Sequence, residues 1–463
     1  MNTKIFFAAF SIIVSMHFTS KAQSNLTLYH MNSVQQNNYQ NPAKKPKNKF
    51  NLSLPIISSI GVNYQNNGFA YADLIAKRAD DSLVLTTDNM LSKLKPNNTF
   101  LNNINTDIIA FGFKVKRSYI SFNASLKTDV AISYTKDMMT FALKGNTAFL
   151  GKTVNLNFDL NTSAYLEYGL GFAHTTKNNQ FSYGARLKLL SGIANTQSEK
   201  IDISLYTNET DYAIKATSNI IFNSSSVDTG ENDIDYAKYI FGKNRGAALD
   251  FGIEYKPIDD LVLSASIVDI GAITWREKVS NYKNKKPNAS FEFSGFNLQN
   301  FFDNANDFEK SIDSLSDSLT NTFDLVKTTN EYKTTLPTKI YVGASYQLTS
   351  FLSVNALFAG RFINKKMQNN VCLSLNADVT RWLHFTGSYS MANGVGNNVG
   401  FGMSINAGFL QLYAVTDNVS AILHPEKAKY ANVQAGLNLC FGRPKKPKKH
   451  ADDTKPDTSG TLQ

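Results

Sequence analysis

Over residues 336–441 apolar and polar side chains alternate almost one for one, in segments of about ten residues. Val371, Leu373, Leu375, Ala377 and Val379 are interleaved with Cys372, Ser374, Asn376 and Asp378. Leu383, Phe385, Gly387 and Tyr389 alternate with His384, Thr386, Ser388 and Ser390. The period returns in Val399, Phe401, Met403, Ile405 and Ala407, and again in Val433, Ala435, Leu437, Leu439 and Phe441. A period of two marks a strand with one dry and one wet face, because successive side chains leave a strand on opposite sides. The dry faces are too many for one small core, and these wet faces carry little charge. Serial strands of this length fit the wall of an antiparallel transmembrane β-barrel, apolar toward lipid and polar toward the lumen. The chain is predicted to be all-β, a barrel of about 14 strands (14 to 16 candidates), with one or two short helices in its loops.

Further strand candidates fall at 51–64 (interrupted by Pro55), 106–116, 119–126 with 130–134, 153–160, 164–174, 181–190, 247–255 and 261–270. Segments 201–206 and 212–220 pair as a hairpin across Asn208-Glu209-Thr210. Residues 65–104 read as a long loop with a helical piece near 88–94, and 137–144 as a short helix capped by Asp137. Over 303–326 the spacing turns helical, with Phe308, Ile312, Leu315, Leu319 and Phe323 on one stripe beside Asp307, Glu309, Asp313 and Asp317. Tight turns are expected at 117–118, 177–179, 257–258, 349–350, 380–381 and Gly408. They alternate with longer connections at 65–105, 191–246, 271–337, 363–370, 392–398 and 417–432. Outer-membrane barrels keep short turns on the periplasmic side, so both chain termini are expected there.

The rest of the chain adds a location. Lys4, the apolar run 5–14 and Ser20-Lys21-Ala22 predict a signal peptide over 1–22, too short to span as a helix. Export excludes cytoplasmic enzymes and nucleic-acid binders despite a net charge of +10. Residues 23–49, rich in Asn and Gln, are expected either as a periplasmic lead-in or as a plug in the barrel mouth. The barrel follows over 50–442, with Leu437-Asn438-Leu439-Cys440-Phe441 as an internal assembly signal. Residues 443–463, opening with Arg443-Pro444-Lys445-Lys446, are expected as a disordered basic tail. The predicted location is the outer membrane, with membrane lipid and envelope proteins as partners.

Candidate chemistry is sparse. His174 and His384 lie in strands, facing inward by the alternation, with no ligand at metal spacing, so no metal or cofactor is predicted. Cys372 and Cys440 sit on polar faces of strands that the wall geometry keeps apart, so a disulfide is not expected. Gly394-Val395-Gly396 with Gly400 and Gly402 has no helix behind it and reads as a hairpin loop, not a phosphate cradle. A barrel lipase needs Ser and His together on the lipid face. No catalytic residue is assigned, the chain is not expected to be an enzyme, and its ligand-binding residues are not identified.

Several stretches carry a resemblance. Asn41-Pro42-Ala43, Leu54-Pro55-Ile56-Ile57-Ser58-Ser59 and Asn67-Gly68-Phe69-Ala70-Tyr71 resemble the start of an uncharacterised outer-membrane barrel family of Bacteroidota-type envelopes. Phe111-Gly112-Phe113, Leu143-Lys144-Gly145-Asn146, Tyr165-Leu166-Glu167-Tyr168 and Gly184-Ala185-Arg186-Leu187-Lys188 extend it over nearly the whole chain. Such proteins look like distant relatives of FadL-type fatty-acid channels and of type IX secretion barrel subunits. The resemblance implies about fourteen strands with an N-terminal segment near the lumen, and matches no ligand-binding residue. Small, uncharged wet faces at Ser388, Ser390, Gly400, Gly402, Ser404 and Asn406 point to a passive channel for apolar or amphipathic molecules. The alternative is a non-transporting scaffold or accessory subunit of an envelope complex, suggested by the long connections and the 303–326 stripe.

Overall fold

A computed structural model describes residues 25–442 apart from 56, 211, 226–239, 241, 287, 294–324, 364–365 and 393–394. Fourteen antiparallel strands close on themselves. The first, β1, is split into Phe50–Ser53 and Ile60–Asn66. It is followed by β2 (Asn97–Val115), β3 (Ser118–Thr135), β4 (Phe158–Thr175), β5 (Phe181–Thr207), β6 (Arg245–Ile258) and β7 (Leu261–Trp275). The second half is β8 (Lys339–Gln347), β9 (Leu352–Ile363), β10 (Lys366–Ala377), β11 (Leu383–Ala392), β12 (Val395–Ala407), β13 (Leu410–Thr416) and β14 (Tyr430–Phe441). Closure is by β14 on β1, with Phe50 opposite Phe441 and Ile60 opposite Ala435.

Alternation is borne out along the walls. On β14, Val433 and Phe441 face out while Asn432, Gln434, Asn438 and Cys440 are buried inside. On β5, Leu187 and Leu189 are exposed while Arg186 and Lys188 are buried; on β6, Leu249, Phe251 and Ile253 flank buried Asp250. An apolar exterior around a polar interior inverts a water-soluble fold, and only a lipid-facing wall makes it stable. At the tight-turn end the exterior becomes aromatic. Phe409 stacks on Phe441 at 5.9 Å between ring centroids, and Trp382 and Phe351 are exposed near the same rim. Aromatic rings gather where a barrel leaves the hydrocarbon.

Departures from expectation have local causes. Strand β2 begins at Asn97 rather than at 106: five asparagines between 97 and 105 blur the alternation, yet the stretch pairs continuously with β3. β3 is continuous across 127–129, which pair with 105–103. Pro257 and Ile258 remain in β6, and the turn falls at Asp259-Asp260. The connections expected to be long at 363–370 and 392–398 are short: Ile363 pairs with Lys366 and Ala392 with Val395. The hairpin across 208–213 is present, with Thr207 opposite Ile214. It extends β5 into a sheet above the rim that includes Val279–Asn284, Leu325–Thr328 and Tyr332–Thr335. Trp275 is the centre of a second core there, with Tyr165, Ile273 and Leu336.

Four short helices are described, Tyr71–Leu74, Thr87–Lys93, Lys136–Lys144 and Val419–Leu423, against one or two expected. The third is capped by Thr135, whose hydroxyl accepts from the Met138 amide, and not by Asp137. Asp137 instead lies in the first turn, where a negative charge meets the positive end of the helix dipole. Of the helical stripe expected over 303–326, residues 303–324 lie outside the described part, and Leu325 and Val326 belong to a strand. Residues 1–24 and 443–463, with the signal peptide and basic tail expected there, also lie outside it.

Candidate functional site

The interior is occupied by the chain that precedes β1. Residues 25–48 turn through two 3-10 helices, Thr27–His30 and Gln35–Tyr39, with most of their side chains buried. The abundance of Asn and Gln here has a physical reason: inside a polar lumen, amides supply donors and acceptors without the desolvation cost of a charge. At one end the Leu26 and Thr27 amides donate to Asp417 at 2.9 and 2.8 Å, and the Thr27 hydroxyl donates at 2.6 Å. Gln35 donates to Ser53 on β1 and Asn438 on β14, and Gln36 also donates to Asn438. Arg186 on β5 donates to Asn38 and lies 4.9 Å from the Tyr39 ring centre, while the Tyr39 hydroxyl donates to Asp107 at 2.9 Å. Glycines clear the space. A Cβ on Gly184 would collide with the Pro42 carbonyl, and one on Gly252 with the Asn41 side chain.

Apolar contacts add to this. Leu26 and Tyr29 pack with Val268, Tyr341 and Leu357, and Leu28, Met31 and Val34 pack with Tyr413 and Val415. Burial changes the titration of two groups in the segment. Desolvation, then the nearby Lys44 charge, pushes His30 well below its usual value, so it is neutral. Desolvation pulls the Lys44 ammonium down to about 8; it donates to the Tyr29 carbonyl at 2.7 Å and sits over that ring.

The small, uncharged faces expected at Ser388, Ser390, Ser404 and Asn406 are buried inside, but the wall of β4 to β8, which that expectation did not cover, is charged. Lys188 on β5 lies 2.8 Å from Asp250 on β6 and 3.7 Å from Glu167 on β4, and also bonds Asp269 on β7. Asp269 meets Lys339 of β8 at 2.7 Å. Alternation alone would point Asp269 outward, since Ser264, Ser266 and Val268 face in. A bulge against β6 and a left-handed backbone (φ 63°) swing it inward, and its amide donates to Asp250. Higher up, Arg361 on β9 crosses the lumen to Asp129 on β3 at 2.8 Å and to Asn103 on β2 at 3.0 Å.

Two spaces remain. One, of about 80 Å³, lies beside the segment and is lined by Gln36, Gln40, Lys127, Glu167, Lys188 and Asp269. The other, of about 230 Å³, opens at the tight-turn end, where Asp378 joins Lys47 of the segment (2.9 Å) and His384 (2.7 Å). His384 thus faces in, as expected. His174 does not: it shares the outward parity of Leu170 and Phe172 and bonds Ser118 at 2.9 Å. That pair is a Ser and His in contact, but no carboxylate orients the other ring nitrogen among the described residues, and the arrangement is not a hydrolytic triad. Cys372 and Cys440 are buried and form no disulfide. No metal-holding cluster of three such residues occurs among the described residues.

Among solved structures, the toluene transporter TodX of Pseudomonas putida is similar at 10% identity, covering 87% of this chain and 93% of that one, with a TM-score of 0.38. The toluene transporter TbuX of Ralstonia pickettii matches at 10% identity, 88% and 93% coverage and a TM-score of 0.40. A FadL homologue of Pseudomonas aeruginosa matches at 9%, with 87% and 92% coverage and a TM-score of 0.38. No curated protein matches the sequence. A family of unknown function, DUF5723, matches residues 42–417, and the chain belongs to that family.

Proposed function

We propose that the protein is an outer-membrane channel held closed by its own N-terminal segment. One observation carries this: residues 25–48 fill the lumen through bonds to strands on all sides, so no solute passes unless the segment shifts. The lining favours small polar solutes over the apolar class expected earlier. An apolar molecule would lie against the charges of Glu167, Lys188, Asp269 and Lys127 and offer them no bond.

The test is conductance of the full-length chain in planar bilayers. Thr27 and Ser388 have hydroxyls 2.7 Å apart, so Thr27→Cys with Ser388→Cys, in a Cys372→Ser background, places a bridge between segment and wall. The reduced double variant is expected to show openings that oxidation abolishes. A second variant lacking residues 25–44 is expected to conduct continuously. Conductance unaffected by oxidation, or a deletion variant that inserts but stays silent, overturns the proposal.

A further inference from the structure

At the end opposite the tight turns, beyond β13, β14 and β1, the surface combines exposed apolar side chains with lysines. β14 runs 12 residues from the aromatic rim at Phe441 to Tyr430, and a tilted strand needs about 9–11 residues to cross the hydrocarbon. Tyr430 therefore marks the opposite boundary, and Gln65 and Leu101 share its level by register. Pro425–Lys427, with Lys429, lies just beyond it, at the depth of lipid headgroups.

The short helix Val419–Leu423 at this level leaves Ile422 and Leu423 exposed, the latter 69% so, and Tyr71 is exposed on a helix packed against Pro425–Lys427. Lys93, Lys95 and Lys427 are exposed too. Lys93 and Lys95 come close enough to Lys429 to help hold its ammonium below its usual value, after partial burial. Of the nearby acids, Asp88 is bridged to Lys144, Asp73 caps its own helix by accepting from the Ala70 amide, and Glu426 lies 3.7 Å from His424, so Lys93, Lys95, Lys427 and Lys429 outnumber Asp73 and Glu426. The cations therefore stand in surplus beside apolar side chains, at the boundary where acyl chains meet phosphates.

We propose that this surface binds a phosphorylated lipid of the surrounding leaflet, its phosphates on Lys93, Lys95 and Lys427 and its acyl chains against Ile422 and Leu423. Charge complementarity selects an anionic lipid, and the apolar pair selects a lipid over free phosphate. The inference rests on the barrel lying in a membrane, and the test separates the two. Full-length protein in detergent is mixed with a bisphosphorylated acylated disaccharide, with phosphatidylcholine or with inorganic phosphate, and the bound species are counted by native mass spectrometry. The bisphosphorylated lipid alone is expected to be retained, less so at high salt. Each lysine near an anionic surface contributes roughly fivefold. Lys93→Gln/Lys95→Gln/Lys427→Gln is then expected to weaken retention roughly a hundredfold, and Ile422→Ser/Leu423→Ser to weaken it with the lysines intact. Equal retention of phosphatidylcholine, retention of inorganic phosphate alone, or full retention by the lysine variant overturns the inference. The heat-modifiable gel band reports the barrel separately: band present without lipid refutes this site alone, whereas loss of the band from wild type refutes the barrel.

Discussion

Asp417→Asn is the most informative single change. One carboxylate oxygen accepts from the Thr27 amide and hydroxyl; the other accepts from the Leu26 amide at 2.9 Å, the Tyr430 hydroxyl at 2.7 Å and Asn432 at 3.0 Å. The residue is fully buried, so water replaces none of these. An amide keeps one oxygen and turns the other into a donor facing donors, so at least two bonds are lost and the rest lose their charge. Bonds to a charged group are worth about 1.5–3 kcal/mol each, and two of them amount to about 4 kcal/mol. That is roughly a thousandfold in the opening equilibrium of the first half of the segment. Leu26, Leu28, Tyr29 and Met31 keep their packing, so this half loosens rather than leaving. Hydrogen exchange is the assay. Peptides over 25–34 are expected to exchange roughly a thousandfold faster, while those over 35–48, anchored at Arg186 and Asn438, stay near wild type. Unchanged protection over 25–34, or an equal loss across the barrel strands, would refute the idea that Asp417 anchors the segment.

Three other outcomes follow from the same geometry. Lys188→Met leaves Asp250 and Glu167 buried without their cation and is expected to cost about 3–5 kcal/mol in urea unfolding from lipid; adding Asp250→Leu should recover part of it. Segment docking should depend on pH through two groups whose protonated forms the docked state disfavours. Released His30 takes up a proton below about 6.5 that docked His30 refuses, so docking weakens as pH falls through that value. Docked Lys44 titrates at about 8 against 10.5 when released, so docking strengthens between those values by ~3 kcal/mol; exchange over 25–48 checks both, and a flat profile in His30→Gln confirms the acid limb. Cys372 and Cys440, both buried, should resist maleimide in the folded barrel and react on unfolding; labelling of either in the native state counts against the inward faces assigned to β10 and β14.

The wall was readable where a strand has lipid on one side and lumen on the other, as on β10 to β14, because burial then imposes a period of two. In the sheet above the rim that constraint is absent: the 201–220 hairpin was legible from its turn, but Val279–Asn284, Leu325–Thr328 and Tyr332–Thr335 were missed, as was Asn97–Asn105, whose asparagines blur the alternation. The charged lining escaped because it is assembled one residue per strand. Glu167, Lys188, Asp250 and Lys339 each look like a stray charge in an apolar run, and only their shared inward phase on successive strands betrays them. Asp269 stands outside even that rule, since a bulge re-aims it. The N-terminal segment carried no directional signal at all: amide side chains are satisfied equally by water and by a polar lumen, so 23–49 read as either.

The split in β1 bears on how the molecule is put together. Between Ser53 and Ile60 lie six residues where β14 has only two between Asn438 and Ala435, so the first and last strands meet in two short stretches with a gap between them. This junction joins the two ends of the chain, and it is the entropically most expensive pairing to form. Gln36 spans it, donating to the Ser58 carbonyl inside the gap and to Asn438 beyond it, while Gln35 joins Ser53 to the same Asn438. These bonds link residues up to 403 positions apart. The segment is thus a splint across the seam between the first and last strands as well as an occupant of the lumen. Its Gln35 and Gln36 bonds to Asn438 can form only after the last strand has arrived, so that part of the docking belongs to the same step as barrel closure.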